Sequence, residues 1–194
     1  MGEDFNLWMA SQDVKRGHMH QGTNYRYQPW QSIETNLTTK LPKTPFYDNV
    51  AIAAFLGGLD AIVTLPLGGE TSAADAGYGR NGTLKRVLAI NMQQYNASVW
   101  NSEFLSNYTR PKESVTFDVG CGGTVRRLMA NGSDAITALR SISGANVFSV
   151  YQELPNGKPV LLHNITIGEI VLSWDVKVTV QVPYSSVAIV DLGC

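Results

Sequence analysis

Hydrophobic and polar residues alternate strictly along residues 176–182, which read Val-Lys-Val-Thr-Val-Gln-Val. Because side chains of a β-strand point alternately to its two faces, this pattern predicts a strand with one buried and one solvated face. Short segments rich in Val, Ile, Leu and aromatic residues predict seven more strands, at 84–90, 115–119, 124–129, 147–151, 160–162, 170–174 and 187–192. Short strands separated by turn residues are typical of an antiparallel β-sandwich.

The first part of the chain has a different pattern. Apolar Phe5, Trp8 and Met9 at helical spacing predict a helix from Glu3 to Ser11. We expect a strand over residues 13–20, then a polar loop that lasts until about residue 44. Helix, strand, loop and helix in this order are typical of the closing unit of a parallel βα-barrel.

A second helix is predicted after the polar loop. Pro45 suits a helix start, and Gly57-Gly58 can end the helix by adopting left-handed conformations. Val50, Ala53, Ala54 and Phe55 would provide its apolar face. The domain boundary is therefore expected between residues 1–58 and 59–194.

Composition excludes several classes of function. The 194 residues carry a formal net charge of −1, and the 15 basic residues are scattered, which argues against a nucleic-acid-binding face. The longest apolar run is too short to span a bilayer, so no membrane partner is expected. The start Met-Gly-Glu-Asp does not resemble a signal peptide.

Potential glycosylation sites nevertheless favour a secreted protein. The sequon Asn-x-Ser/Thr occurs at Asn36, Asn81, Asn96, Asn107, Asn131 and Asn164. A polar β-protein rich in Asn, Ser and Thr is the alternative explanation. The sequons and the lack of a signal peptide in this sequence are both explained if the chain is the C-terminal piece of a longer extracellular protein.

The two cysteines, Cys121 and Cys194, fit an oxidising compartment. An even cysteine count favours a disulfide there, which would tie the C-terminus to an inner strand region. Two unrelated thiols remain the alternative.

Residues 15–30 concentrate the polar and aromatic side chains that carry chemistry. A strand over 13–20 would place Arg16, His18 and His20 on one face, with Tyr25 and Tyr27 just beyond its end. Such groups suit a sugar or carboxylate pocket. A metal site at His18 and His20 is not expected, because no further ligand has suitable spacing for a tetrahedral zinc site.

The segment His18-Met-His-Gln-Gly-Thr-Asn-Tyr-Arg-Tyr27 resembles the end of the catalytic barrel of fungal family 79 glycoside hydrolases, the β-glucuronidases related to heparanase. The resemblance continues upstream at residues 4–8 and downstream at 45–47 and 84–91. It implies that residues 1–58 are the end of a (β/α)8 barrel and that 59–194 form the C-terminal β-sandwich. A secreted glycoprotein acting on a glucuronic-acid-containing glycan, without a cofactor, would follow.

The resemblance also assigns roles to residues. Hydrolysis with retention of configuration requires two carboxyl groups, which the family carries on earlier barrel strands. None of the glutamates in this sequence matches them, so we expect no catalytic residue here. The resemblance does carry uronate recognition over to His18, Asn24 and Tyr25, unless Tyr25 merely caps the barrel and His18 is a core histidine. The rival function is a non-catalytic, carbohydrate-binding or scaffolding β-sandwich.

Overall fold

The computed structural model describes residues 2–18, 20–22, 25, 28–37, 40, 42–96, 110–129, 150–153, 159–163, 169–171 and 176–194. Two helices, α1 (Gly2–Ser11) and α2 (Thr44–Leu56), precede ten strands. The strands are β1 (Ala61–Leu65), β2 (Ser72–Tyr78), β3 (Leu84–Asn91), β4 (Lys112–Asp118), β5 (Gly123–Met129), β6 (Val150–Glu153), β7 (Pro159–His163), β8 (Glu169–Val171), β9 (Lys177–Pro183) and β10 (Ser186–Leu192).

A six-stranded antiparallel sheet forms the centre of the fold. Its strand order is β1-β2-β3-β10-β5-β8, while β4 pairs with β9 and β6 pairs with β7 in two-stranded sheets. Strand β10 is central, since Ala188 lies opposite Ala89 of β3 on one side and Arg127 of β5 on the other. The final strand of the chain therefore holds the sheet together.

One face of the central sheet packs against the β4–β9 pair. Val87, Val125 and Val190 from the sheet share a core with Phe117 and Val180. The turn at residues 184–185 carries the chain from one sheet to the other, because β9 and β10 belong to different sheets. The predicted antiparallel sandwich is confirmed, and alternate residues of β9 are buried as the sequence indicated.

The two helices cover the other face of the central sheet. Leu7 of α1 and Phe55 of α2 are both 0% exposed and share a core with Leu88 and Ile189. Each residue of this size buried against apolar neighbours contributes about 1.5–3 kcal/mol relative to exposure. The helices and the sheet therefore share one hydrophobic core.

The bounds of the helices were predicted well, and their buried faces only in part. Helix α2 begins with Pro45 near its N-terminus and ends before Gly57, whose N–H donates to Ala53 O. Of its predicted face, Phe55 is buried and Val50 and Ala54 pack partly buried against the same core, whereas Ala53 is exposed. Ala51 and Ile52, which were not predicted, are buried as well. In α1 the buried residue is Leu7, and the predicted face residues Phe5 and Trp8 are half exposed, because the sheet lies on the Leu7 side.

The strand predicted over residues 13–20 is wrong. Asp13 has a positive φ of 60°, Val14 N donates back to Met9 O, and residues 14–18 are exposed without regular structure. A strand needs a neighbour for its backbone hydrogen bonds, and the described strands pair elsewhere. The described residues therefore do not form a βα-barrel unit.

Strands β1 and β2 were missed by sequence analysis. The sequence of β2, Ser-Ala-Ala-Asp-Ala-Gly-Tyr, lacks the β-branched residues that usually mark strands and has one aromatic residue, at its end. Packing accounts for the glycine: a Cβ at Gly77 would lie 2.3 Å from Leu59 Cδ1 and 3.3 Å from Phe55 Cζ. A larger residue at this position would therefore require the Leu59 side chain to move.

An ion-pair network joins α2 to the sheet. Arg86 Nε lies 2.6 Å from Asp191 Oδ1, and its Nη1 donates to the carbonyls of Phe55 at 2.8 Å and Gly57 at 2.5 Å. Arg126 approaches the other carboxylate oxygen, with Nε 2.7 Å from Asp191 Oδ2. Two guanidinium groups thus share one carboxylate, and one of them also caps the helix.

Cys121 and Cys194 form a disulfide in the structure, with Cα atoms 6.0 Å apart. The bond extends the β5–β10 ladder, in which Leu192 pairs with Gly123 and Gly193 N donates to Gly122 O. A Cβ at Gly123 would lie 2.2 Å from Asp191 O, so the two strands approach too closely there for any side chain.

We expect the disulfide to stabilise the fold by restricting the unfolded chain. The 73-residue separation of the two cysteines corresponds to about 4 kcal/mol in the chain-entropy model, as an upper value. Replacing both cysteines with serine should therefore lower the free energy of unfolding by roughly 2–4 kcal/mol in urea titrations. The same titration of the wild-type protein in reducing agent is the matched comparison. Unchanged urea midpoints in the serine variant and in the reduced protein would contradict the prediction.

A carboxyl group is buried beneath α1. Asp75 of β2 is on the helix-facing side of the sheet, and its Oδ1 accepts a hydrogen bond from Thr64 Oγ1 at 3.0 Å. Burial raises the pKa of Asp75 from 3.8 to about 6; the Thr64 hydrogen bond opposes this shift, and the nearby Asp4 adds to it. No sequence pattern distinguishes this aspartate from the others.

Asp75 should make the stability of the fold depend on pH. Its pKa is higher in the folded state, so the folded chain binds the proton more tightly and stability falls as pH rises from about 4 to about 6. Asp75→Asn should remove that fall and stabilise the protein by roughly 1–3 kcal/mol at pH 7. Chemical denaturation across this pH range measures the effect, and Asp118→Asn, at an exposed residue of β4, is the control. Parallel pH profiles for wild type and Asp75→Asn would contradict the assignment.

Candidate functional site

The segment that contains the predicted site leads into a closed loop. Trp30 and Pro42 form an isolated antiparallel bridge that closes residues 30–42, and Lys43 N donates to Pro29 O at 2.8 Å. Helix α2 begins directly after Lys43. We call residues 18–43 the recognition loop. Its C-terminal part is therefore held at the start of a helix that packs on the central sheet, whereas Tyr25 lies before the bridge.

Buried amide side chains organise the recognition loop. Gln28 and Gln31 are fully buried, although both are polar, and Gln28 Nε2 donates to Gln31 Oε1. Gln21 Nε2 donates to Trp30 O at 2.8 Å, and Gln31 Nε2 donates to Ile33 O at 2.9 Å. Buried polar groups need such partners, so hydrogen bonds give this loop the order that a strand would otherwise provide.

Tyr25 has an exposed but supported ring. Its exposed fraction is 52%, and it stacks on the His20 imidazole with ring centroids 5.9 Å apart and planes inclined by 16°. A Cβ at Gly22 would lie 3.0 Å from Tyr25 Cδ2, so glycine leaves room for the ring. An aromatic ring presented in this way can offer both a stacking face and a hydroxyl donor to a ligand.

Lys43 lies behind Tyr25 and is buried, with only 7% of its surface exposed. Its Nζ donates to Tyr25 O at 3.4 Å. Burial lowers the pKa of Lys43 below its usual value, since desolvation disfavours the charged form. Nothing in the sequence distinguished Lys43 from the other lysines.

The three predicted binding residues have different outcomes. Tyr25 is accessible, as a binding role requires. His18 is exposed in irregular structure and does not face inward from a strand, so the predicted period-2 geometry is wrong; the residue stacked on Tyr25 is His20. Asn24 and Tyr27 lie outside the described residues.

Three of the predicted glycosylation sites are described. Asn36 and Asn81 are exposed, and Asn96 is half-buried. Asn107, Asn131 and Asn164 lie outside the described residues. Occupancy of these sites remains a prediction.

In the described part of the chain, no cluster of three or more His, Cys, Asp or Glu side chains is placed to hold a metal ion. Neither α1 nor α2 is long and apolar enough to cross a membrane.

A sheet covered by strands on one face and by helices on the other defines a β-sandwich domain with an added helical layer. Residues 74–189 match the family model described as the glycosyl hydrolase family 79 C-terminal beta domain. The chain therefore belongs to glycosyl hydrolase family 79, which confirms the resemblance seen in the sequence.

Individual relatives agree with this family. The chain is 43% identical to a β-glucuronidase of Aspergillus niger over 98% of its length, and 37% identical to a β-glucuronidase of Neurospora crassa over 85%. It spans about a third of these relatives, 36% and 34% respectively. A 4-O-α-L-rhamnosyl-β-D-glucuronidase from Fusarium oxysporum shares the fold with a TM-score of 0.56 at 21% identity, covering 76% of this chain and 29% of that one.

Proposed function

We propose that this chain is the C-terminal part of a secreted, retaining β-glucuronidase-like enzyme. In this proposal it supplies the β-sandwich and the uronate-recognition residues His18, Asn24 and Tyr25, while the catalytic carboxyl groups lie in an upstream (β/α)8 barrel. The 43% identity over 98% of the chain carries the proposal, because that alignment extends through the recognition loop and well beyond the β domain.

The exposed Tyr25 supports a role in recognition. A glucuronate carboxylate requires hydrogen-bond donors, and hydrogen bonds to charged groups are stronger than neutral ones. A tyrosine hydroxyl on a ring that is held by His20 and a fixed backbone could donate with little loss of conformational entropy. Such a donor would distinguish a uronate from the corresponding neutral sugar.

The contacts of two described glutamates favour structural roles. Glu113 Oε2 accepts from Ser72 Oγ at 3.0 Å and its Oε1 from Gln93 Nε2 at 2.6 Å. Glu34 Oε2 accepts from Lys40 N at 2.9 Å. A retaining mechanism needs two carboxyl groups about 5–5.5 Å apart across the sugar, and these two glutamates each hold a local turn or strand junction instead.

A disulfide and potential N-glycosylation sites support the part of the proposal that concerns secretion. The Cys121–Cys194 disulfide and the exposed sequons at Asn36 and Asn81 are features of proteins that pass through an oxidising, glycosylating compartment. Mass spectrometry of the protein from a fungal host, before and after removal of N-glycans, tests this part directly.

The chain alone should not hydrolyse an aryl β-glucuronide. Without a pair of catalytic carboxyl groups, release of the chromophore should stay at the level of the buffer. A chain carrying Glu113→Gln is the matched control for contaminating activity. Turnover above background that Glu113→Gln abolishes would contradict the placement of the catalytic residues upstream.

Recognition by Tyr25 requires a catalytic barrel for its test. We suggest a chimera in which this chain replaces the matching segment of the Aspergillus niger β-glucuronidase. Tyr25→Phe should lower kcat/KM on an aryl β-glucuronide by about 10- to 100-fold, since a hydrogen bond to a charged group contributes roughly 1.5–3 kcal/mol. The same change should have little effect on the corresponding β-glucoside, which has no carboxylate.

Tyr27→Phe is the control for this measurement, because the family resemblance gives Tyr27 no carboxylate contact. Equal losses on both substrates would make Tyr25 a structural residue. Binding of glucuronides by a chimera without hydrolysis would favour the rival function, a non-catalytic carbohydrate-binding module.

A further inference from the structure

Lys43 combines three features that a surface lysine does not usually have. Its side chain is buried, its Nζ reaches the carbonyl of Tyr25, and its backbone lies at the junction between the recognition loop and α2. Lysine is seldom buried without a specific role for its ammonium group. Its contacts therefore need an explanation beyond packing.

The position of Lys43 is fixed independently of Tyr25. Lys43 N donates to Pro29 O, and the helix that follows buries Ala51 and Phe55 against the sheet. The ammonium group thus approaches Tyr25 from a rigid element, and it contacts the backbone of that residue and not its ring. A hydrogen bond of this kind sets where the Cα of Tyr25 lies, and hence where its ring and hydroxyl point.

We propose that Lys43 is a positioning residue for uronate specificity, which holds Tyr25 in place through its backbone carbonyl and adds positive charge behind the carboxylate subsite. This inference rests on the proposed function of Tyr25 and extends it to the residue that orients Tyr25. A fixed cation beside the subsite favours an anionic sugar over a neutral one, and burial of the Lys43 side chain lowers the effective dielectric constant through which its charge acts.

The test of specificity uses the chimera described above. Lys43→Met should reduce the preference for glucuronide over glucoside by about tenfold, the size expected for one hydrogen bond to a charged group. The loss should occur mainly in KM for the glucuronide, since binding of the carboxylate is weakened in substrate and transition state alike. Lys43→Arg should restore part of the preference, whereas Lys112→Met, at an exposed residue of β4, should change neither substrate.

A double variant separates positioning from general destabilisation. In a Tyr25→Phe background the hydroxyl is already absent, so adding Lys43→Met should reduce the glucuronide preference much less than it does in wild type. Full additivity of the two losses would overturn the positioning role. If Tyr25→Phe itself lacks a selective effect, the proposed function fails; if only Lys43→Met lacks one, the inference about Lys43 fails alone.

The 194-residue chain itself provides a readout that does not depend on activity. In wild type, nuclear Overhauser contacts are expected between the Tyr25 and His20 rings, which stack in the structure. Lys43→Met should weaken them, while Lys43→Arg and Lys112→Met should retain them with unchanged signals from the sheet. Undiminished ring contacts in a folded Lys43→Met protein would overturn the proposal.

Discussion

The contacts of Arg86 determine how the helical layer sits on the sheet. The last carbonyls of any helix lack partners within the helix, and in α2 the guanidinium of Arg86 binds those of Phe55 and Gly57. Asp191 of the central strand β10 binds that guanidinium through Oδ1. Its other oxygen, Oδ2, pairs with Arg126 Nε. A positive charge at the C-terminal end of a helix is also favoured by the helix dipole. Because the other end of α2 carries Lys43, a continuous set of contacts connects the centre of the sheet with the recognition loop.

The central sheet must be apolar on both faces, since it is covered on both. In β3, Val87 and Ala89 face the β4–β9 pair while Leu88 and Ile90 face the helices. Polar contacts then join the sheets at their margins: Asn91 Nδ2 donates to Val182 O at 3.1 Å, and Arg127 Nη2 donates to Gln181 O at 3.2 Å. Strict alternation therefore appears in β9, which has one solvated face, and a continuous apolar run appears in β3 and β10.

This difference explains which elements could be predicted from the sequence. Strand β9 and helix α2 carry complete local signals, an alternating pattern in one and a proline start with a glycine end in the other. Strand β2 does not, because it lacks β-branched residues, and its Gly77 is accounted for by the close approach of Phe55 and Leu59, which are distant in sequence. The prediction of a strand over 13–20 was wrong for the opposite reason. The local sequence there resembles a strand, but a strand forms only beside a neighbouring strand.

The family resemblance indicated residues for the candidate site but not their geometry. It singled out Tyr25 and His18, whereas the ring stacked on Tyr25 is that of His20. The buried Gln28, Gln31 and Lys43 had no distinguishing sequence pattern. Polar side chains in a sequence normally indicate solvent exposure, so a loop that is ordered by burying amides and an ammonium group looks like an ordinary surface loop. Only the path of the chain shows that Gln21 and Gln31 bond to backbone carbonyls within the loop.

Under the proposed function the recognition loop presents an aromatic ring to a charged sugar, and a polar interior suits that task. An apolar loop core would fix the backbone but would offer no positive charge near the ring and would leave the carbonyl of Tyr25 without its Lys43 contact. Hydrogen-bonded amides fix the backbone with neutral dipoles, whereas the buried ammonium of Lys43 carries a charge that can act on an anion. The arrangement thereby separates two tasks: the glutamines keep the loop in shape, and Lys43 links that shape to a helix whose position is fixed by Arg86.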